Sequence, residues 1–106
     1  MNLIEKKCLP CEGGTPPMEG SEINILGKEV PLWSFREGHL FRAFKFMSFR
    51  EAINFVNSVA KLADEEGHHP DICIHYNKVE LELWTHAIKG LSENDFIMAA
   101  KIDNII

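Results

Sequence analysis

The chain is short of cysteine, of positive charge and of long apolar runs, and each shortage excludes something. Three cysteines in 106 residues are an odd number, which argues against a disulfide framework. None is required at this length, because a chain of this size can bury a real core as one domain. Lys and Arg number 11 against 16 Asp and Glu, giving a formal net charge of −5 and a pI near 5.5. Bulk electrostatics therefore do not draw the chain to phosphate backbones, and direct nucleic-acid binding is not expected. No stretch approaches the roughly 18–20 apolar residues of a membrane span. The N-terminal MNLIEKKCLP also lacks the apolar segment of a signal peptide. The expectation is a cytoplasmic protein with no membrane partner. What is present, 45% apolar and 25% charged residues, is the balance of a soluble globular domain.

Cys8 and Cys11 form a CxxC, but a four-thiolate zinc site needs a second pair and only Cys73 remains. A redox CxxC would open a helix after a strand. Here CLPCEGGTPP runs on through Gly and Pro, so residues 1–20 read as an extended arm. Ser21 to Leu26 is a candidate short helix. PLWSFREGHLFRAFKF holds two aromatic and aliphatic runs around Glu37-Gly38, the pattern of a hairpin. SFREAINFVNSVAKLADEEG is the clearest helix. Ser48 and Glu51 form an S-x-x-E capping box, Ala52, Ile53, Phe55, Val56, Val59, Ala60, Leu62 and Ala63 recur at helical spacing and give one apolar face, and Gly67 sits at the C-terminal cap.

ICIHY and VELELWTH read as a second hairpin with its turn at Asn77-Lys78, in which Val79, Leu81 and Leu83 alternate with Glu80, Glu82 and Trp84. Ser92 and Asp95 cap a final helix, with Phe96, Ile97, Ala99 and Ala100 on one side. No repeat of solenoid length is present, although strand–strand–helix occurs twice. The fold class is α+β: a two-layer sandwich with a four-stranded antiparallel sheet covered by helices on one face.

The stretch EEGHHPD carries the chemistry. His68 and His69 cannot share a face of any regular element, since neighbouring residues point apart on both helix and strand. Pro70 forbids helix continuation and biases His69 towards extended backbone. The pair is thus presented on a stiff corner between helix and strand. The helix C-terminus and the nearby Asp64, Glu65, Glu66 and Asp71 favour protonated imidazole there, as a proton donor requires. His86 ends the strand from Val79, so an antiparallel hairpin returns it beside His68 and His69. His75 lies nearer the turn, and His39 in the other hairpin has no evident role.

Several readings of this cluster stand side by side. Three imidazoles could supply three zinc ligands, but no HExxH or similar pair sits on one helix. A Cys/His nucleophilic site would need a thiol beside a base, and Cys73 is a strand residue with no orienting third group. A polar helix-capping corner and metal-free acid–base chemistry remain.

The spacing decides among them by resemblance. Asp64, His68-His69-Pro70, Tyr76, His86 and Asp95 resemble the signature of the pterin-4a-carbinolamine dehydratases. THAIKGLSENDF, from Thr85 to Phe96, is similar to the family's TH…GL(S/T)…D segment. The CxxCEGG…PP arm and the Trp33 region resemble the longer N-termini of many microbial and plastid members. The resemblance implies dehydration of a 4a-hydroxytetrahydropterin to the quinonoid dihydropterin, without an external cofactor and without a metal. It implies His69 as the acid assisting hydroxide departure, and His68 and His86 as base and pterin-orienting groups. Asp64 would orient His68, Asp95 would do the same near His86, and Trp33 would wall the pterin ring. Asp71 joins these as a binding or orienting acid. The first acid is Asp64 where many members have Glu, one carbon shorter. Members are usually dimers or tetramers, so a homodimer or homotetramer is implied. An animal branch also serves as a dimerisation cofactor of a transcription factor. A non-catalytic interaction module, or a dehydratase for another pterin linked to molybdenum-cofactor metabolism, is the alternative.

Overall fold

The structure is a computed structural model that describes residues 3–9 and 16–106. Its elements in chain order are a 3-10 turn at Leu3–Glu5, α1 (Gly20–Gly27), β1 (Ser34–Arg36), β2 (His39–Lys45), α2 (Phe49–Glu66), β3 (Asp71–His75), β4 (Lys78–Leu83), a second 3-10 turn at His86–Ile88, and α3 (Glu93–Asp103). The four strands form one antiparallel sheet in the order β1-β2-β4-β3. Together with three α-helices they make the α+β architecture that the two strand–strand–helix units imply.

Local chemistry explains most boundaries. The first hairpin turns at Glu37 and Gly38, both at positive φ (50° and 81°), as a tight two-residue loop between twisted strands demands. Ser48 caps α2, its side chain accepting from Glu51 N. Glu51 Oε2 returns to Met47 N, one residue earlier than a reciprocal capping box. At the other end Gly67 takes the left-handed conformation at φ 66°, which costs a residue without Cβ little. That reversal ends α2 and aims the chain back over the sheet edge.

The second hairpin turns one residue earlier than its sequence suggests. His75 pairs with Lys78, so Tyr76 and Asn77 form the turn, with Tyr76 at φ 55°. The reason is Asn77: its carbonyl accepts from Phe46 N at 2.8 Å and its side-chain amide donates to Phe46 O at 2.9 Å. β4 also stops at Leu83, short of the strand through His86 that the alternation suggests.

The core lies between the sheet and the helices. β4 contributes Val79, Leu81 and Leu83, and β2 contributes Leu40 and Phe44, against Ala52, Phe55, Val59 and Ala63 of α2. α3 departs from the one-sided pattern expected for it. Residues 94–100 and Ile102 are all buried, because α3 is covered by α1, α2, β4 and the N-terminal turn. A helix so enclosed has no solvent stripe to read.

The N-terminal arm is not wholly extended. Leu3 opens a 3-10 turn and is only 3% exposed, packed into the core. Cys11, the second thiol of the CxxC, lies outside the described residues. Among the described residues, no helix is long and apolar enough to cross a membrane.

Candidate functional site

The left-handed Gly67 separates the two histidines that follow it. His68 turns inward: its side chain is 12% exposed and its Nε2 lies 2.6 Å from Asp95 Oδ1. His69 faces out, with Nε2 3.0 Å from Asp64 Oδ1 and both side chains largely exposed. The carboxylate partners are therefore exchanged relative to the sequence expectation. Asp64 holds His69 rather than His68, because α2 ends at Glu66 and the one-turn geometry that would join Asp64 to His68 does not continue. Asp95 holds His68 rather than acting beside His86.

Asp95 is fully buried, and its second oxygen is occupied as well. Oδ2 accepts from Thr85 Oγ1 at 2.8 Å and from Ser92 N at 3.0 Å. The latter is half of the α3 capping box, whose other half runs from the Asp95 backbone N–H to the Ser92 side chain. Thr85 is itself fixed, its N–H donating to Gly90 O at 2.8 Å. Gly90 must stay small, since a Cβ there would stand 2.5 Å from Pro17 Cβ. A carboxylate only accepts when ionised, so an imidazole facing one through Nε2 would donate Nε2–H and keep Nδ1 as its acceptor.

The register of β3 on β4 pairs Asp71 with Glu82, so residues 84–86 run past the start of β3 and meet the HHP corner. His68, His69, His86, Asp71, Trp84 and Leu9 line one open cleft of about 360 Å³, a size suited to a small-molecule ligand. Trp84 organises the floor. Its Nε1 donates to Asp71 Oδ2 at 3.2 Å, and its ring packs between His39 (4.5 Å, 15°) and His86 (3.9 Å, 37°). His39 is tied in turn to Glu82 at 2.9 Å.

Trp33 stands apart from this cleft. It is 7% exposed, packs edge-on to Phe44, and donates from Nε1 to Asp103. Asp103 closes the far end of α3, eight residues or about 12 Å from Asp95 along the helix. Its carboxylate also pairs with Arg42, so Trp33 belongs to the core and to the clasp over it. Tyr76 is exposed at the hairpin turn. Sequence reasoning missed Trp84, Thr85, Asn94 and Leu9. Trp84 left a signal in the outward parity it shares with Glu80 and Glu82 on β4, and Thr85 in opening the THAIKGLSENDF segment that resembles the family's.

The arm is held by a half-buried ion pair beside the site. Glu66 Oε2 accepts from Lys101 Nζ at 2.7 Å, and Oε1 from Cys8 N at 2.9 Å. Burial alone would raise the Glu66 pKa. The hydrogen bonds from Lys101 and Cys8 and the charges of Lys101 and Lys7 override it and hold the carboxyl below its ordinary value. Cys8 responds oppositely: burial and the adjacent Glu66 charge push its thiol up to about 12. Among the described residues, no group of three or more His, Cys, Asp or Glu side chains is arranged to hold a metal ion.

The geometry defines a class: an α+β domain with imidazoles fixed by carboxylates at an open, small-molecule cleft, the equipment of proton transfer. Comparison with known proteins narrows it. A family model described as pterin 4 alpha carbinolamine dehydratase matches residues 16–105. A protein of Rubrobacter xylanophilus, provisionally named pterin-4-alpha-carbinolamine dehydratase, is 49% identical over 97% of this chain and 97% of its own. One of Rickettsia bellii, named the same way, is 50% identical over 96% and 92%. The crystal structure of a transcriptional coactivator/pterin dehydratase from Brucella melitensis superposes with a TM-score of 0.80 at 32% identity, covering 84% of this chain and 97% of that one. The chain belongs to the pterin-4a-carbinolamine dehydratase family.

Two expectations rest on the surroundings of Asp95 and Cys8. Asp95→Ala removes a helix cap and strands buried partners, so urea unfolding should report a loss of about 3 kcal/mol; a loss under about 1 kcal/mol would contradict the role of the Asp95 network in holding His68, Thr85 and Ser92. The Cys8 thiol, raised from 9.0 to about 12, should resist alkylation at pH 8 by at least about 100-fold relative to exposed Cys73, read by peptide mass mapping. Because the raised pKa favours the fold through the neutral thiol, that stabilisation is present below about pH 9 and lost as pH rises towards 12.

Proposed function

We propose that the cleft dehydrates a 4a-hydroxytetrahydropterin to the quinonoid dihydropterin and water by histidine acid–base catalysis. The observation that carries this reading is the convergence of His68, His69 and His86 on one cleft, with two of them held by carboxylates. His69 gives a proton to the departing 4a-oxygen, the C4a–O bond breaks with its electron pair, and water leaves. His68, donating Nε2–H to Asp95, takes the N5 proton at Nδ1. The N5–H electrons become the C4a=N5 double bond, and solvent returns the proton from His68 to His69. His86, packed on Trp84, orients the pterin. The step needs no oxidant, external cofactor or metal, because it only moves protons and expels water.

The physiological role proposed with it is recycling of the pterin cofactor of aromatic amino acid hydroxylases, in the cytoplasm. A homodimer or homotetramer completes the proposal. Edge strand β3 leaves Ile74 39% exposed, and Phe35 and Phe49 are 52% and 50% exposed, which suits burial against a second copy. Light scattering should then return a multiple of the 12.1 kDa chain mass; a monomer at micromolar concentration refutes it. The coactivator half of the Brucella relative's name favours a second reading, an interaction module whose histidines are structural.

Stopped-flow absorbance on a synthetic 4a-hydroxytetrahydropterin separates these readings. Acceleration by the wild type should survive chelator. Replacing His68, His69 or His86 by Ala should lower kcat by about 10²-fold or more for the proton-transferring pair, in the range of general acid–base contributions. A folded wild type that adds nothing to the uncatalysed rate favours the interaction module, and loss of activity with chelator points to a metal.

A further inference from the structure

The first turn of α3 does two things in consecutive residues. Asp95 fixes His68, and Asn94, only 6% exposed, fixes the arm. The Asn94 side chain accepts from Leu9 N through Oδ1 at 2.9 Å and donates through Nδ2 to Leu9 O. An amide that engages both backbone groups of one residue imitates a strand partner and sets that residue's position and direction. Cys8 tightens the register, its N–H on Glu66 and its Sγ 3.7 Å from Asn94 O.

The arm's two described leucines then behave oppositely. Leu3 is sunk in the core at 3% exposure, whereas Leu9 is 69% exposed and lines the histidine cleft. An exposed leucine alone carries no message. This one is held by a buried amide beside the cleft, and among the described residues that line the cleft it is the only long aliphatic side chain. The other lining groups are imidazoles, a carboxylate, an indole with imidazoles packed on its ring, and small or polar residues. A flat heterocycle placed among the histidines would find its apolar contact in Leu9.

We infer that Leu9 is a substrate-contacting wall of the site, supplied by an arm that precedes the 16–105 segment matched by the family model. Asn94 is the positioning residue that holds it there. The inference rests on the pterin reading of the cleft. It assigns Leu9 to binding rather than to proton transfer, so its removal should act on KM and leave kcat alone. Leu9 contributes nothing to the core, and its replacement should not disturb folding.

The test uses the full chain with Leu9→Ala and Leu9→Asp. Turnover of the synthetic 4a-hydroxytetrahydropterin gives KM and kcat, and quenching of tryptophan fluorescence by non-reacting 7,8-dihydrobiopterin gives Kd. Leu9→Ala should raise KM and Kd together by about fivefold, the factor that partial burial of a leucine side chain supplies, with kcat within about twofold. Leu9→Asp should raise them further. Asn94→Ala frees the arm and should raise Kd by a similar factor, with no additional effect in the Leu9→Ala background. Wild-type turnover and binding with Leu9→Ala indistinguishable from wild type overturn this inference alone. A wild type that neither turns over nor binds the pterin overturns the functional reading and this inference with it. Binding weakened by Leu9→Ala without turnover leaves the wall standing and removes only the catalytic reading.

Discussion

The site is built around one buried carboxylate. Asp95 meets His68 on one oxygen and Thr85 and Ser92 on the other, and thereby joins four parts of the chain: the corner after α2, the end of β4, the loop before α3, and α3 itself. A buried acid with any partner missing would cost several kcal/mol. Here the partners are complete, and among the described residues no buried side-chain nitrogen or oxygen lacks one. The same constraint that makes Asp95 tolerable fixes the ring orientation of His68. The stability of the α3 cap and the geometry of the histidine are one interaction seen from two sides.

The neighbouring groups are ranked by how dry they are. The Asp64–His69 pair has a similar distance but lies in solvent, with side chains 80% and 61% exposed. Such a pair gains little net energy, since water and salt screen it. Its value is orientation of an exposed imidazole. Glu66 is the intermediate case. An acid at a helix C-terminus opposes the helix dipole, yet Lys101, Lys7 and the Cys8 N–H compensate it. That arrangement turns an unfavourable position into the anchor of the arm.

Local signals were legible wherever the cause was local. The capping serines Ser48 and Ser92, the reversal at Gly67, the Glu37-Gly38 turn and the β4 alternation each depend on a few adjacent residues, and each stands where its pattern puts it. Legibility failed where a distant partner intervened. Asn77 moved the second turn because Phe46, 31 residues away, holds it. Trp33 was drawn into the core by Phe44 and Asp103. α3 lost its one-sided face because other elements cover it on several sides.

The sequence by itself determined the periodicities, the caps, the α+β class and the histidine-bearing corner, because these follow from backbone preference and side-chain spacing over a turn or a strand. Only the tertiary structure decided which carboxylate serves which histidine, that Trp84 rather than Trp33 meets the cleft, and that Leu9 reaches it. Those pairings span from 5 to 85 residues. They depend on Gly67 breaking the helical geometry that would have joined Asp64 to His68, and on packing that brings the arm onto α3. No spacing rule within a segment carries that information.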